Sequence, residues 1–156
     1  MIGLSYIWLW MSRSAAFFAL GLIQECGESV AITCSSGTAC MNYGSAIVEA
    51  FYQRLPLLVL SSDRVPELLN QCEDQMYDQV STFVSCTKYH CQLPEIDTPK
   101  DEWYCNRLIN EALIELYPIM DEDLFILISH LLHITKLNMM LKYFQILARS
   151  RCINYQ

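Results

Sequence analysis

Pro56-Leu-Leu-Val-Leu-Ser-Ser-Asp-Arg64 is the stretch on which the fold turns. A proline releases the chain into Leu57 to Leu60, four apolar residues in a row, and a short unbroken apolar run of this kind predicts a buried parallel strand. Upstream, Thr38 to Gln53 carries Met41, Ala46, Ile47, Ala50 and Phe51 at helical spacing, and before it Ser29 to Cys34 is a short β-rich run. Earlier still, Ser14 to Cys26 sets Ala16, Phe17, Leu20 and Ile23 on one helical stripe and stops at Gly27, which tolerates a left-handed exit. Downstream, Val65 to Phe83 is polar and irregular with room for two short helical turns, and Cys86 to Leu93 alternates as a strand. Pro99 to Leu116 predicts a last helix, capped by Asp97 or Thr98, with Trp103, Leu108, Ala112 and Leu116 inward. Alternating helices and strands from Arg13 to Tyr117 predict an α/β domain: a parallel sheet with helices on both faces.

The chain has 156 residues, enough for one ordinary domain with its own core. A net charge of -7 without any Lys/Arg cluster leaves nothing to follow a phosphate backbone, so nucleic acid is excluded as a partner. Apolar residues make up 53% of the chain, yet no stretch reaches the roughly 20 residues needed to cross a bilayer. Met1 to Trp10 has neither a basic n-region nor a small-residue cleavage site, so a cytoplasmic chain is expected. Eight cysteines form no Cys-x-x-Cys pair, which predicts reduced, mostly buried thiols and no metal site. After Tyr117 the alternation stops. Leu124 to Leu147 is apolar nearly all round, with His130 and His133 helically spaced but without a third ligand; filler or a disordered tail is expected ahead of a membrane-surface helix.

Two features carry chemistry. Ser35-Ser36-Gly37-Thr38-Ala39 lies between a predicted strand and a predicted helix, where a crevice opens at the strand's carboxyl end and helix amides point outward. Arg64 follows the buried strand and should project near the same edge, where its guanidinium can clamp a carboxylate through two bonds. Thr38 and Arg64 are expected to line a common cavity. The competing reading pairs Arg64 with Asp63 or Glu67 at the surface.

Arg13-Ser-Ala-Ala-Phe-Phe-Ala-Leu-Gly-Leu, Cys34-Ser-Ser-Gly-Thr-Ala and Pro56-Leu-Leu-Val-Leu-Ser-Ser-Asp-Arg-Val-Pro-Glu-Leu, in that order, resemble the pyrimidine-binding domain of a thiamine-diphosphate enzyme family. The family is the menaquinone-pathway synthase that makes 2-succinyl-5-enolpyruvyl-6-hydroxy-3-cyclohexene-1-carboxylate. The resemblance runs from Arg13 to Leu116. It implies that Ser36, Gly37, Thr38 and Asn42 lie against the cofactor's aminopyrimidine, that Arg64 meets the acidic substrate although Val65 replaces a family proline, and that Gln75 faces substrate, with Gln79 matching a second family glutamine.

One departure bears on activity. The family has Asp-Glu directly before Arg-Ser-Ala-Ala, whereas this chain has Met11 and Ser12. In such enzymes the glutamate shares a proton with N1′ of the aminopyrimidine, favouring the imino form that leads to the thiazolium ylid. A serine hydroxyl has neither the charge nor the pKa for this, so Ser12 predicts a cofactor left unactivated and no catalytic residue in the chain. In an alternative reading Ser12 only caps the following helix. The family's Gly-Asp-Gly motif, which holds diphosphate and Mg²⁺ in a separate domain, is absent, as are its opening strand and helix. The resemblance therefore implies that neither thiamine diphosphate nor Mg²⁺ binds this chain tightly alone, and that its partner is a complete synthase chain or its diphosphate-binding domain. The family reaction decarboxylates 2-oxoglutarate and adds the succinyl group to isochorismate. Two other readings stay open: a non-catalytic binding partner, and a fragment of an acetohydroxyacid synthase or pyruvate oxidase type of enzyme.

Both ends read as out of frame. Tyr117 to His130 can be written in codons that, taken from the third base, spell Ser-His-His-Gly-Arg-Gly-Pro-Val-His-Ile-Asn-Ile-Pro, resembling the family strand that closes the pyrimidine domain. Trp8-Leu-Trp-Met-Ser treated likewise yields Val-Val-Asp-Glu, returning the missing acid. The expected division is an out-of-frame leader at 1–12, a partial pyrimidine-binding domain at 13–117 and an out-of-frame apolar tail at 118–156. A sheet lacking a strand and carrying such a tail is expected to aggregate.

Overall fold

A computed structural model describes residues 7, 9, 11–64, 66–116 and 125–131. The chain divides into two compact units. One spans Leu9–Leu131 and holds every described helix and strand; the other, Met1–Trp8 with Leu132–Gln156, falls outside the described residues except for Ile7. In chain order the elements are α1 (Ser12–Cys26), β1 (Val30–Cys34), α2 (Thr38–Met41), α3 (Gly44–Gln53), β2 (Leu57–Asp63), α4 (Gln79–Thr82), β3 (Tyr89–Leu93), α5 (Pro99–Leu116) and β4 (Phe125–Leu131), with single 3-10 turns at Pro66–Leu68 and Val84–Cys86.

The four strands form one parallel sheet in the order β1-β2-β4-β3. Leu57 to Ser61 are all buried, the burden of a strand covered on both faces. Successive side chains alternate between faces, and Leu57 and Val59 share a core with Ile32, α1 and α3, while Leu58 and Leu60 are buried outside that cluster. On the other side α5 packs along β3 and β4. The expected α/β architecture, helices on both faces of a parallel sheet, is the one observed.

Local signals placed several boundaries correctly. Gly27 leaves α1 at φ 67°, its N–H donating to the Ile23 carbonyl at 2.8 Å. Thr98 caps α5 through a reciprocal pair: its hydroxyl accepts from the Asp101 N–H at 3.3 Å, and the Asp101 carboxylate accepts from the Thr98 N–H at 2.9 Å. None of the described helices is long and apolar enough to cross a membrane.

Other expectations need correction. The single helix over Thr38 to Gln53 is two, because Asn42 and Tyr43 take i→i−3 bonds to Ala39 and Cys40, and the Asn42 amide bonds the Thr38 carbonyl at 3.3 Å in competition with the helical ladder. Tyr43 thereby turns inward, with its hydroxyl on the Thr33 carbonyl at 2.6 Å. Phe17, Met41 and Trp103, all expected inward, are exposed. In α1 the inward position goes to Ala19, which joins Ala16 in one cluster with Ala46 and Ala50 of α3, and small residues of this kind let helices approach closely. Strand β3 starts at Tyr89 rather than Cys86, since Val84–Cys86 closes a turn with Cys86 N–H bonded to Phe83 O at 3.0 Å.

The largest difference lies after α5. Residues expected to be filler include β4, hydrogen-bonded on both edges: Leu57↔Phe125 to Asp63↔Leu131 on one side and Tyr89↔Ile126 to Leu93↔His130 on the other. The helical spacing of His130 and His133 thus has no helix under it at His130, and His133 lies outside the described residues.

Among the described cysteines all seven are free, and they divide by exposure. Burial pushes the Cys91 thiol in β3 up to about 12, against a partial lowering by the Tyr89 hydroxyl. A raised thiol pKa contributes stability that is complete below the unfolded value near about 8.5 and is lost as the pH climbs towards the folded value. Iodoacetamide at pH 8 is therefore expected to label Cys26 and Cys72, both exposed, well before Cys91. Peptide mass spectrometry checks this, and equal labelling of Cys91 in the folded chain would contradict it.

Candidate functional site

The site lies at the carboxyl ends of β1 and β2, where the sheet hands the chain to loops. β1 ends at Cys34, and Ser35 to Gly37 turn into α2. Gly37 sits at φ 65°, and a Cβ there would collide with the Gln75 carbonyl oxygen. The segment carrying Gln75 therefore lies directly on the loop. Gly37 has both backbone groups engaged: its N–H donates to Gln79 Oε1 at 2.8 Å, and its carbonyl accepts from the Cys40 N–H at 2.9 Å. Ser36 is half-buried, while Thr38, Asn42 and Gln75 are exposed.

Under the loop, Cys40 and Tyr43 are buried and Cys34 and Tyr77 half-buried. Cys34 and Cys40 share a thiol hydrogen bond that, with burial, holds the Cys34 proton firmly in place. Burial raises both nearby phenols, Tyr43 and Tyr77, and the Tyr77 hydroxyl is shut off from solvent beside the Cys40 thiol. Burial also raises Asp63 at the end of β2, although its carboxylate accepts the Arg64 N–H at 2.8 Å.

Arg64 pairs with neither Asp63 nor Glu67 through its guanidinium. Its Nη2 lies 3.5 Å from the Asp74 carboxylate, an exposed partner with which a second carboxylate would compete. Two hollows flank this region. One, of about 370 Å³, is lined by Met11, Ser12, Arg13, Ser14 and Asn42; the other, of about 470 Å³, is lined by residues from Leu69 to Asp78. Ser12 and Asn42 thus meet across one hollow, whereas Thr38 and Arg64 line neither.

Ser12 does not cap α1. The N-cap is Met11, which makes no side-chain cap bond, and Ser12 is the first helical residue. With no acid in that first turn, the helix dipole goes unanswered. Ser12→Glu is expected to raise stability by about 0.3–1 kcal/mol at low salt, with Ser12→Gln giving no such gain. Urea unfolding of the two variants measures the difference, and equal midpoints would show that position 12 does not feel the dipole.

The chain matches no protein-family model. Curated synthases do resemble it: one from Bacteroides fragilis is 51% identical over 104 residues, covering 67% of this chain. One from Bacteroides thetaiotaomicron is 48% identical over 103 residues, and one from Porphyromonas gingivalis 45% over 102. Each is named 2-succinyl-5-enolpyruvyl-6-hydroxy-3-cyclohexene-1-carboxylate synthase. Over the matched segment, this chain belongs to that synthase family. It spans about a fifth of the length of these relatives, 19% for the first.

Membership sharpens the test of cofactor fit. The hollow at Ser12 offers hydroxyls from Ser12 and Ser14, an amide from Asn42 and the cation of Arg13, groups able to hydrogen-bond a polar ring. Among the described residues none of those lining it is a carboxylate, so these residues do not fit the acid-assisted activation that the synthase family's cofactor requires. Among the described residues, no three His, Cys, Asp or Glu side chains converge on a point that could hold a metal ion.

Sequence reasoning noticed Gln79 but not its part in the structure. Its side chain is 1% exposed, and Nε2 donates to Ser61 Oγ at 2.7 Å and to the Ser62 carbonyl at 2.8 Å. A lone glutamine in a polar stretch carries no periodic signal. What could have marked it is its position directly after Asp78, whose carboxylate caps α4 by accepting from Ser81.

Proposed function

We propose that this chain is a partial pyrimidine-binding domain of a thiamine-diphosphate-dependent menaquinone-pathway synthase and that it is inactive alone. The whole family reaction decarboxylates 2-oxoglutarate and adds the succinyl group to isochorismate. The observation that carries the reading is the hollow shared by Ser12 and Asn42, with no acid among its described lining residues. In this reading Ser36, Thr38 and Asn42 face the aminopyrimidine side of a cofactor held mainly by another domain, and Gly37 shapes the loop. Arg64 exchanges Asp74 for a substrate carboxylate, with Gln75 nearby. The partner is a complete synthase chain or its diphosphate-binding domain, and the compartment is the cytoplasm.

The same reading divides the chain into an out-of-frame leader at 1–12, the partial domain at 13–117 and an out-of-frame tail at 118–156. The Met11-Ser12 pair in place of Asp-Glu supports that division. Two experiments test the proposal. Purified chain supplied with thiamine diphosphate, Mg²⁺, 2-oxoglutarate and isochorismate should form no product, and turnover would overturn the assignment. Sequencing the locus through both junctions should find Asp-Glu and Gly-Pro-Val-His-Ile-Asn in the neighbouring frame; their absence would end the frame reading and leave the family assignment standing.

A further inference from the structure

Gln79 is not among the residues to which the proposed function gives a role, yet it is bonded to one of them. It is polar, fully buried and distant in sequence from each of its partners: Gly37, Ser61 and Ser62. A carboxamide has two N–H donors and one carbonyl acceptor, and here Oε1 takes the Gly37 N–H while Nε2 reaches both the Ser61 hydroxyl and the Ser62 carbonyl. Such a group costs stability when buried unless it is bonded, and this one is bonded at both ends. Its geometry joins two things the backbone does not: the loop leaving β1 and the last residues of β2.

We infer that Gln79 is a positioning residue that clamps the Ser36–Thr38 loop to the end of β2 and so sets where Thr38 and Asn42 stand. The Gln75 carbonyl covers Gly37 from one side, and the Gln79 carboxamide holds its N–H. Held at both points, the loop presents Thr38 at a fixed place, and Asn42 is tied to it through the bond from its side-chain amide to the Thr38 carbonyl. The described bonds of Gln79 go to Gly37, Ser61 and Ser62. The inference rests on the reading of this loop as the aminopyrimidine side of the site.

The test uses the full chain, labelled with ¹⁵N, as parent, Gln79→Met and Ser61→Ala. Methionine keeps the length and removes both hydrogen-bonding ends. Two readouts are taken: amide exchange at Gly37, and the shifts induced at Thr38 and Asn42 by free thiamine, the aminopyrimidine probe. In Gln79→Met the Gly37 amide should exchange about tenfold faster while Leu58 and Val59 keep their protection, and the thiamine shifts at Thr38 and Asn42 should fall at least severalfold. Ser61→Ala removes one of two acceptors on Nε2 and should give a smaller change in the same direction, a result that stands even where the methionine variant fails to fold. Unchanged Gly37 exchange in both variants, or loss of protection spread evenly over the core, would overturn the clamp. If the parent gives no thiamine shifts while Gly37 still responds, the clamp stands and the cofactor reading falls.

Discussion

Gly37→Ala should destabilise the chain by more than about 3 kcal/mol, whereas Gly21→Ala should stabilise it by about 0.5–1 kcal/mol. The same chemical change has opposite signs because the two glycines do different work. Gly21 lies inside α1 with nothing within 4 Å of a new Cβ, so alanine there only improves helix propensity. At Gly37 the new Cβ would collide with the Gln75 carbonyl oxygen, a backbone atom that no rotamer can move aside, and φ is 65°. Relief requires lifting the Gln75 segment, which breaks the Gly37–Gln79 bond and leaves a buried carboxamide partly unsatisfied. Urea unfolding gives the two signs, and amide exchange should show 75–82 losing protection first. An alanine at 37 tolerated within about 0.5 kcal/mol would mean that the two loops do not touch.

The parts of this fold that could be read from sequence are those decided locally. Leu57 to Leu60 announced a buried strand because four apolar neighbours leave no solvent face, and α5 announced its start through Pro99 and Thr98. The strand's further reach to Asp63 was not local: Ser61, Ser62 and Asp63 are extended because Ser129, His130 and Leu131 pair with them. Helix faces failed by one position for a related reason. Phe17 and Ala19 both border the apolar stripe of α1, and only the close packing on α3 decides that the smaller one turns inward. At the site, the Ser35–Ala39 loop was legible as a strand-to-helix junction. The bond from Gly37 to Gln79 spans 42 residues, and no local pattern encodes it.

Removing residues 117–156 should abolish cooperative unfolding, whereas removing only 132–156 should preserve it. The first truncation takes away β4, the strand that alone joins β2 to β3 in the order β1-β2-β4-β3. Without it Leu57–Asp63 becomes an open strand edge with unpaired backbone N–H and C=O groups, α5 loses one of the two strands it rests on, and the parallel sheet shrinks to a pair too small to be stable by itself. Size-exclusion chromatography should then find aggregates, and near-ultraviolet circular dichroism should lose its fixed aromatic signal. The second truncation leaves the Leu9–Leu131 unit and both ladders whole. A chain ending at Leu116 that stays monodisperse with an unchanged melt would show that β4 contributes nothing to the sheet. The expected result is compatible with the proposed out-of-frame origin of the tail, because ladder hydrogen bonds are made by backbone N–H and C=O groups and ask of the side chains only that they suit an extended strand. Phe-Ile-Leu-Ile-Ser-His-Leu meets that requirement with its β-branched and aromatic residues. A segment read in the wrong frame can therefore still complete a sheet, while a position that needs one particular functional group, such as the acid missing at Ser12, has no such tolerance.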